Sequence, residues 1–367
     1  MILMNDFKAE PKELRAGMEV AIGRVLDSGW YVLGEELSIF ERLWAETCGA
    51  VEGIGVGNGM DAIEIGLRCL GIGPGDEVIT TSMTAFATVL AILRTGATPV
   101  LADIDPKTAT LSLESVKRCI GPSTKALVLV HLYGQIRDMD AWCAFCSDAG
   151  IELVEDCAQS HLASWRGRMG GTFGKVGAYS FYPTKNLGAV GDGGMIVTQD
   201  VALASLARCL RNYGQTVRYH HSEIGLNSRL DEVQAAILGV RLRWLPTFTK
   251  RRQQVADVYR YGILNPLVEQ LAAPQEHSAH VYHLYVVLCK QRDALMSHLE
   301  RCGVQSLIHY PVSTHMQVPC VSMLRDPTGL AACEAHAANC LSLPCHPQLS
   351  DVDVANVIEA VNSFRGM

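Results

Sequence analysis

The feature that most constrains the fold is an alternation of short β-rich runs with helical stretches between residues 54 and 200. Helical stretches such as AFATVLAILRTG and DMDAWCAFCSDAG separate β-rich runs that read DEVITTS, PVLADI, KALVLVHLYG, IELVEDCA, VGAYSFY and GGMIVTQD. Such alternation is typical of a mostly parallel sheet covered by helices. The sequence therefore predicts an α/β fold with a mostly parallel central sheet flanked by helices. Ligands of such sheets bind beyond the carboxyl ends of the strands.

The sequence after this region predicts a second, smaller domain. The helical pattern LDEVQAAILGVRLRWL is expected to be kinked or interrupted at Pro246, because proline lacks the backbone N–H. A further helical stretch, the β-like run HVYHLYVVL, another helix, a loop rich in Pro and His and a closing helix follow. We therefore predict a large domain over residues 1–249 and a smaller α+β domain over residues 250–367.

Composition limits the classes of function. The 367 residues are 49% hydrophobic, which suits a compact globular chain. A formal net charge of −7 and a pI near 5.9 argue against a binder of nucleic acid or anionic membranes, since both need a basic surface. No run approaches the roughly 18 apolar residues of a membrane span, and MILMNDFKAE has no basic leader. We expect a cytoplasmic protein whose thirteen cysteines are free thiols.

The turn in VGNGMDAIEIGL has more than one interpretation. Its helix, expected to begin near Asp61, would offer N-terminal amide groups to a phosphate. Gly57, Gly59 and Ala62 also fit a loose dinucleotide-binding pattern, but that pattern needs an acidic residue about 20 positions further on, where the chain has TTS. A nicotinamide site is therefore disfavoured. The alternative that this glycine turn has only a structural role stays open.

Cysteine and histidine patterns do not predict a metal site. Cys143 and Cys146 form a CxxC pair without a second pair at suitable spacing, which favours packing. His277, His280 and His283 recur every third residue, which is neither the spacing of a helical zinc pair nor the alternation of a strand face. We therefore expect no metal.

Two charged residues follow neighbouring predicted strands. IELVEDCA ends in Glu155 and Asp156, and VGAYSFY ends shortly before Lys185. Since the ends of such strands meet at one edge of a sheet, we expect Asp156 and Lys185 to share that edge. A lysine amine can form a Schiff base with an aldehyde cofactor, and a carboxylate can keep a pyridine nitrogen protonated. With a phosphate at the helix after Gly59, this arrangement indicates pyridoxal 5′-phosphate (PLP), and a solvated surface lysine is the alternative.

Segments from nearly the whole chain resemble one known family. They are SGWYVLGEEL, GNGMDAIEIGL, GIGPGDEVITTSMTAFATVLAI, GATPVLADID, HLYGQIRDMD, VEDCAQSH, GTFGKVGAYSFYPTKNLGAVGDGG, RNYGQ, GLNSRLDEVQAAIL and HYPVSTH. In combination they resemble the DegT/DnrJ/EryC1/StrS family of PLP-dependent sugar aminotransferases. The resemblance implies the type I, aspartate-aminotransferase-like fold and PLP as the cofactor.

The resemblance also implies a role for each residue around the cofactor ring. Lys185 would form the Schiff base and move a proton between the two carbons that exchange the amino group. Asp156 would pair with the pyridine nitrogen, and Gln159 would hydrogen-bond the ring hydroxyl. Phe86, in TAFAT, stands where family members stack an aromatic ring on PLP.

By the same resemblance, phosphate and sugar contacts come from several segments. The backbone amides of Gly59 and Met60 and the hydroxyl of Ser180 would hold the phosphate. Asn227, in GLNSRL, corresponds to an asparagine that reaches the phosphate of the neighbouring subunit, which implies a homodimer. The substrate contacts would include Tyr182, His309, Tyr310 and His315 on the sugar side, Tyr31 at the same mouth, and Arg229 as a partner of a carboxylate or phosphate. For each of them packing or capping is the alternative.

The expected reaction is the transfer of an amino group from L-glutamate to a keto group of a nucleotide-linked deoxy sugar. NGMDA, where many members have SGT-A-A, resembles enzymes that aminate C-3 of nucleotide-linked 3-keto-6-deoxyhexoses, such as dTDP-linked ones. Leu162 and Lys175 replace a glycine and an aspartate that are common in the family, which leaves the regiochemistry and the sugar contacts less defined. The alternatives are amination at C-4 or of a keto-cyclitol, and a non-catalytic PLP-binding regulator. The family's dehydratase branch has histidine at the lysine position, so Lys185 argues against it.

Overall fold

The computed structural model describes residues 1–366, and over this range the chain forms twelve α-helices and fifteen β-strands. The helices are α1 Lys12–Ser28, α2 Glu35–Cys48, α3 Gly59–Cys69, α4 Phe86–Arg94, α5 Leu113–Cys119, α6 Met139–Ala149, α7 Val201–Leu210, α8 Glu232–Leu242, α9 Leu245–Gly262, α10 Arg292–Arg301, α11 Ala331–Asn339 and α12 Asp351–Ser363. The strands are β1 Glu52–Val56, β2 Glu77–Thr81, β3 Thr98–Ala102, β4 Thr124–Val130, β5 Glu152–Asp156, β6 Ser164–Trp165, β7 Arg168–Met169, β8 Val176–Ser180, β9 Gly194–Thr198, β10 Gln215–Val217, β11 His220–His221, β12 Glu269–Gln270, β13 Tyr285–Leu288, β14 Leu324–Arg325 and β15 Cys340–Leu343.

A mostly parallel sheet of eight strands forms the centre of the molecule, in the order β1-β9-β8-β5-β4-β2-β3-β14. The pairs from β8 to β14 are parallel. Strand β9 is antiparallel to both of its neighbours, β8 and β1. All six β-rich runs identified in the sequence form strands of this sheet, which confirms the predicted fold class.

Strand β4 explains why the sheet lies in the middle of the core. Its sequence TKALVLV is apolar without alternation. Ala126 and Val128 pack with side chains of α3 and α7 on one face, and Leu127 and Leu129 pack with side chains of α5 and α6 on the other. A strand that is covered on both faces needs apolar residues at consecutive positions. The helices therefore leave the ends of the strands as the accessible edge.

Two helix starts differ in how well the sequence predicts them. Helix α3 begins at Gly59, two residues before the expected start, because Asn58 caps it by accepting the Asp61 N–H at 2.9 Å. The helical pattern is interrupted just before Pro246, since α8 ends at Leu242 and α9 begins at Leu245. Pro246 lies in the first turn of α9, where the missing N–H has no helical partner to lose.

The C-terminal part of the chain has a core of its own. The antiparallel sheet β12-β13-β15 packs with α9, α10 and α12 around a cluster of apolar residues that includes Tyr259, Leu295 and Val357. Helix α9 is continuous across the predicted boundary between residues 249 and 250. Strand β14 extends the large sheet, since Leu324 pairs with Val100 of β3. The C-terminal part is thus joined to the rest of the chain through α9, and its strand β14 belongs to the large sheet.

Two properties of the whole chain bear on the sequence predictions. All thirteen cysteines are unpaired, as predicted. Within residues 1–366, no helix combines the length and the apolar character that a bilayer span requires.

Candidate active site

A cavity lies at the carboxyl edge of the large sheet, where β4, β5 and β8 end beside the start of α3. The strand register places Val130, Asp156 and Ala178 side by side at this edge. The cavity is lined by six residues that the sequence assigns to the cofactor: Gly59, Met60, Asp156, Gln159, Ser180 and Lys185. The expected meeting of Asp156 and Lys185 at one edge is thus observed.

Lys185 occupies the turn that follows β8. Its backbone N–H donates to the Tyr182 carbonyl at 2.8 Å, and the Asn186 amide next to it donates to the Val281 carbonyl at 3.1 Å. A Cβ at position 188 would lie only 2.3 Å from the Pro183 carbonyl oxygen, so the loop after the lysine needs glycine there. Burial lowers the pKa of Lys185 from 10.5 to about 8, although the Asp156 charge opposes this shift. The turn therefore presents an amine that loses its proton more readily than a surface lysine.

Asp156 is held by two hydrogen bonds. The Thr88 hydroxyl donates to Asp156 Oδ2 at 2.8 Å, and the Ala158 N–H donates to Oδ1 at 3.1 Å. Since the Thr88 hydroxyl donates to the carboxylate, the Thr84 hydroxyl 2.9 Å away donates to Thr88. This chain of donors orients an anionic carboxylate toward the cavity. The sequence reasoning missed both threonines, whose signal is the pair of hydroxyls four residues apart in TAFAT.

Gln159 is oriented by a residue that the sequence reasoning also missed. The Tyr133 backbone N–H donates to Gln159 Oε1 at 2.5 Å, and Gln159 Nε2 donates to the Tyr310 hydroxyl at 3.2 Å. Tyr133 is buried and has a positive φ of 62°, which is uncommon for a residue with a side chain. Because its side-chain oxygen already accepts the Tyr133 N–H, Gln159 presents its Nε2 group as a hydrogen-bond donor to Tyr310 and to a ligand.

The first turn of α3 forms an anion cradle. In an α-helix the first N–H groups have no carbonyl partner within the helix, so those of Gly59 and Met60 are donors for an anion. A Cβ at position 59 would lie 2.6 Å from the Ser180 Cβ, so glycine is what allows β8 to approach the helix so closely. This cradle fits the phosphate of PLP, and the amine, carboxylate and amide donors described above fit its ring.

The start of α4 and its N-cap line the cavity with small side chains. Ala85, Ala87 and Thr88 face the cavity, whereas Phe86 packs against the apolar cluster that includes Met83 and Val89. The stacking role of Phe86 therefore stays a prediction.

The predicted substrate-contacting residues differ in exposure. Tyr31 and Tyr182 are exposed, with 52% of their surface accessible in each case. His309 is half-buried, and its Nδ1 lies 2.8 Å from the Ser342 hydroxyl. Burial, with the positive charge of Lys185 as a second cause, lowers the pKa of His309 to about 4. The imidazole of His309 is therefore neutral near pH 7.

His315 and Tyr310 are more enclosed. The His315 ring nitrogens contact Ser82 Oγ at 2.7 Å and Glu334 Oε1 at 3.1 Å, so both nitrogens have protein partners. Tyr310 lies beside Gln159, and burial raises the pKa of its hydroxyl to about 12. Tyr310 is therefore a neutral hydrogen-bonding group, and the partners of His315 are consistent with the packing alternative.

Asn227 and Arg229 lie on a segment that follows α7. Asn227 is exposed, and Arg229 donates to the Asn212 side chain at 3.1 Å with its guanidinium 5.2 Å from the centre of the Tyr213 ring. Neither residue is among those that line the cavity of its own subunit.

Glu155, next to Asp156, forms a buried cluster with His131 and Cys157 whose geometry could suit a metal. Its carboxylate already accepts three backbone N–H groups from residues 171–174, at 2.7 to 2.8 Å, and contacts His131 Nε2 at 2.9 Å. Four partners occupy the lone pairs of a carboxylate. Glu155 is therefore explained as a residue that ties the loop before β8 to the sheet.

The fold and this cavity define a class of enzyme. A mostly parallel sheet that joins a lysine, an aspartate and a helix N-terminus at its carboxyl edge is the arrangement expected for a type I PLP-dependent aminotransferase. The sequence profile of the DegT/DnrJ/EryC1/StrS aminotransferase family matches residues 13–362, and the chain belongs to this family. Membership confirms the predicted enzyme class and PLP as its cofactor.

Comparison with known proteins gives similar relatives over the full length. The chain is 45% identical to dTDP-3-amino-3,4,6-trideoxy-alpha-D-glucose transaminase of Streptomyces venezuelae, over 98% of this chain and 95% of that protein. It is 41% identical to dTDP-3-amino-3,6-dideoxy-alpha-D-galactopyranose transaminase of Aneurinibacillus thermoaerophilus, over 99% of each. Among solved structures, S. venezuelae DesV in complex with a ketimine intermediate matches with a TM-score of 0.95 and 44% identity, covering 98% of this chain and 97% of DesV.

Proposed function

We propose that this aminotransferase moves an amino group from L-glutamate to the C-3 keto group of a dTDP-linked keto-deoxy sugar. The observation that carries the proposal is the joining of Lys185 and Asp156 in one cavity of a chain that is 45% identical to a 3-amino sugar transaminase. The NGMDA segment, which resembles that of C-3 aminotransferases, forms the N-cap and first turn of α3 at that cavity. We place the reaction in the cytoplasm, where glutamate and nucleotide sugars are found.

Each residue around the cofactor ring has its own role in the proposed reaction. PLP supplies an aldehyde that takes up the amino group and a pyridine ring that withdraws electrons from the reacting carbon. The amine of Lys185, with its lowered pKa, would hold the cofactor and would move the proton at the reacting carbons. The Asp156 carboxylate, fixed by Thr88, keeps a proton on the ring nitrogen. Gln159 Nε2 would donate to the ring hydroxyl.

The phosphate and the sugar are held by other parts of the chain. Gly59, Met60 and Ser180 would hold the phosphate at the start of α3. The neutral His309 and Tyr310 offer hydrogen bonds to the hydroxyl groups of the sugar without adding charge beside Lys185. The exposed Tyr31 and Tyr182 contribute at the mouth of the cavity.

The proposal includes a homodimer in which Asn227 of one subunit reaches the phosphate in the other. The exposure of Asn227 and its position outside the cavity of its own subunit support this arrangement. A site that spans two subunits would explain why a polar residue projects from this segment without lining its own site.

The decisive experiment locates the new amine. Purified protein with PLP and glutamate is incubated with 3-keto and 4-keto dTDP-hexoses, and the product is analysed by NMR. Amination at C-3 and formation of 2-oxoglutarate are expected, and Lys185→Ala is the control without turnover. A product aminated only at C-4 would overturn the C-3 assignment. Cofactor binding without turnover of glutamate would favour a regulator instead.

A further inference from the structure

Asp61 lies at the centre of a buried network beneath the anion cradle. Its Oδ2 accepts the Ser228 hydroxyl at 2.6 Å and the Asn58 side-chain amide at 3.1 Å, and its Oδ1 accepts Arg94 at 3.2 Å. The Ser228 oxygen in turn accepts the Gly57 N–H at 2.9 Å. Asp61 is 7% exposed and Ser228 is 1% exposed. A charge-assisted hydrogen bond in such surroundings is strong and directional.

This network joins two segments that are far apart in the sequence. Asn58 and Gly57 belong to the turn that leads into α3, whereas Ser228 follows Asn227 directly. The Ser228 N–H donates to the Arg211 carbonyl at 2.9 Å, and Asn212 forms a β-bridge with Asn227. The segment is extended there, so successive side chains alternate between opposite faces. Ser228 is buried and Asn227 is exposed, in agreement with that alternation.

We propose that Asp61 is a positioning residue for the neighbouring subunit: by holding Ser228, it fixes Asn227 in the orientation that binds the partner's cofactor phosphate. The inference rests on the proposed homodimer and extends it. It assigns to the Asp of NGMDA a function in trans, beyond its contact with the N-cap Asn58 of its own helix. The same carboxylate therefore connects the phosphate cradle of one active site with the segment whose Asn227 reaches the other active site.

The test uses heterodimers that separate the effect in trans from the effect in cis. A subunit carrying Asp61→Ala and Lys185→Ala is combined with a wild-type subunit, and the pair is purified through two different affinity tags. The only lysine that can bind PLP covalently is then Lys185 of the wild-type subunit, whose own cradle is intact. Its affinity for PLP is measured from the absorbance of the lysine-bound cofactor. The reference heterodimer carries Lys185→Ala alone.

We expect the Asp61→Ala heterodimer to bind PLP about tenfold more weakly than the reference. Asp61→Asn, which keeps an oxygen to accept the Ser228 hydroxyl, should restore part of the affinity. Ser228→Ala should reproduce the loss, and it provides a second variant should Asp61→Ala fail to fold. An affinity equal to the reference for folded Asp61→Ala and Ser228→Ala heterodimers would overturn the proposal.

Two further heterodimers separate this inference from the dimer on which it rests. Glu64→Gln changes a buried carboxylate one turn further along α3 that pairs with Arg94, and it should leave the affinity unchanged. A loss as large as that of Asp61→Ala would instead mean a general disturbance of α3 and would overturn the positioning role. Asn227→Ala should weaken binding at least as much as Asp61→Ala. If Asn227→Ala has no effect, the proposed two-subunit site is wrong, whereas an effect of Asn227→Ala alone would contradict only the role of Asp61.

Discussion

The backbone N–H of Tyr133 donates to the side-chain oxygen of Gln159 and thereby decides which end of that amide serves as a donor. Tyr133 has a positive φ and is buried, so the surrounding structure maintains an unfavourable backbone conformation at this point. Strain of this kind is often found at functional sites. Here it orients an N–H donor toward the Tyr310 hydroxyl and the cavity.

Gln159→Glu tests this orientation. The new carboxylate can still accept the Tyr133 N–H but cannot donate to the cofactor ring. We expect the Kd of PLP to rise about tenfold, which corresponds to roughly 1.4 kcal/mol for one hydrogen bond. Titration of the apoprotein with PLP, followed by absorbance, measures the change. Gln199→Glu, on an exposed side chain that bonds the Gly49 carbonyl, is the matched control and should have no effect. Equal affinities for wild type and Gln159→Glu would contradict the assigned orientation.

Thr88→Val tests whether the threonine chain orients Asp156. Valine keeps the shape of threonine but removes the hydroxyl that donates to the carboxylate. A hydrogen bond to a charged group contributes about 1.5–3 kcal/mol, so we expect kcat to fall by about tenfold to a hundredfold. Thr84→Val removes only the next donor in the chain and should have a smaller effect. The idea fails if Thr84→Val is the more damaging change.

The lowered pKa of Lys185 predicts how cofactor uptake depends on pH. Only the neutral amine attacks an aldehyde, so the rate at which apoprotein binds PLP covalently should rise with pH and level off above a midpoint near 8. Stopped-flow absorbance between pH 6 and 11 would measure it. Asp156 raises the pKa of Lys185, so Asp156→Asn should move the midpoint below 8. A midpoint near 10.5 would mean that burial does not shift this amine.

Gly59→Ala tests the close approach of the helix start to β8. The new methyl group would lie 2.6 Å from the Ser180 Cβ and 3.1 Å from the Ser180 Cα, so the strand or the helix must shift. We expect a loss of about 1–3 kcal/mol of stability and weaker PLP binding. Gly239→Ala, in α8, meets no atom within 4 Å and should stabilise by about 0.5–1 kcal/mol. Thermal unfolding with and without PLP distinguishes the two. A neutral Gly59→Ala would contradict the tight cradle.

The sequence predicts the parts of this structure that depend on local pattern. Six apolar runs form sheet strands, and the ends of two of them bring Asp156 and Lys185 together, because parallel strands share one functional edge. Tyr133 and Thr88 could not be predicted in this way. The first depends on an uncommon φ that no propensity favours for tyrosine, and the second on a hydrogen bond across 68 residues.

Other features depend on contacts that arise only after the chain has folded. Strand β14 is two residues long and pairs with β3 across more than 200 residues, so its sequence has no strand signal of its own. The contact between Asp61 and Ser228 spans 167 residues. In NGMDA the aspartate looks like an ordinary first-turn acidic residue, and only the structure identifies its second partner.

The residues proposed for the cofactor and two of those proposed for the sugar come from different parts of the chain. Every residue that we assign to the cofactor within one subunit precedes residue 186, on or beside the large sheet, whereas His309 and Tyr310 come from a loop next to β15 of the C-terminal sheet. Loops tolerate sequence change better than the sheets that carry them. With the proposed assignment of His309 and Tyr310 to the sugar, substitutions in that loop would change the accepted sugar without touching the residues proposed for the cofactor, which makes the loop a target for engineering acceptor specificity.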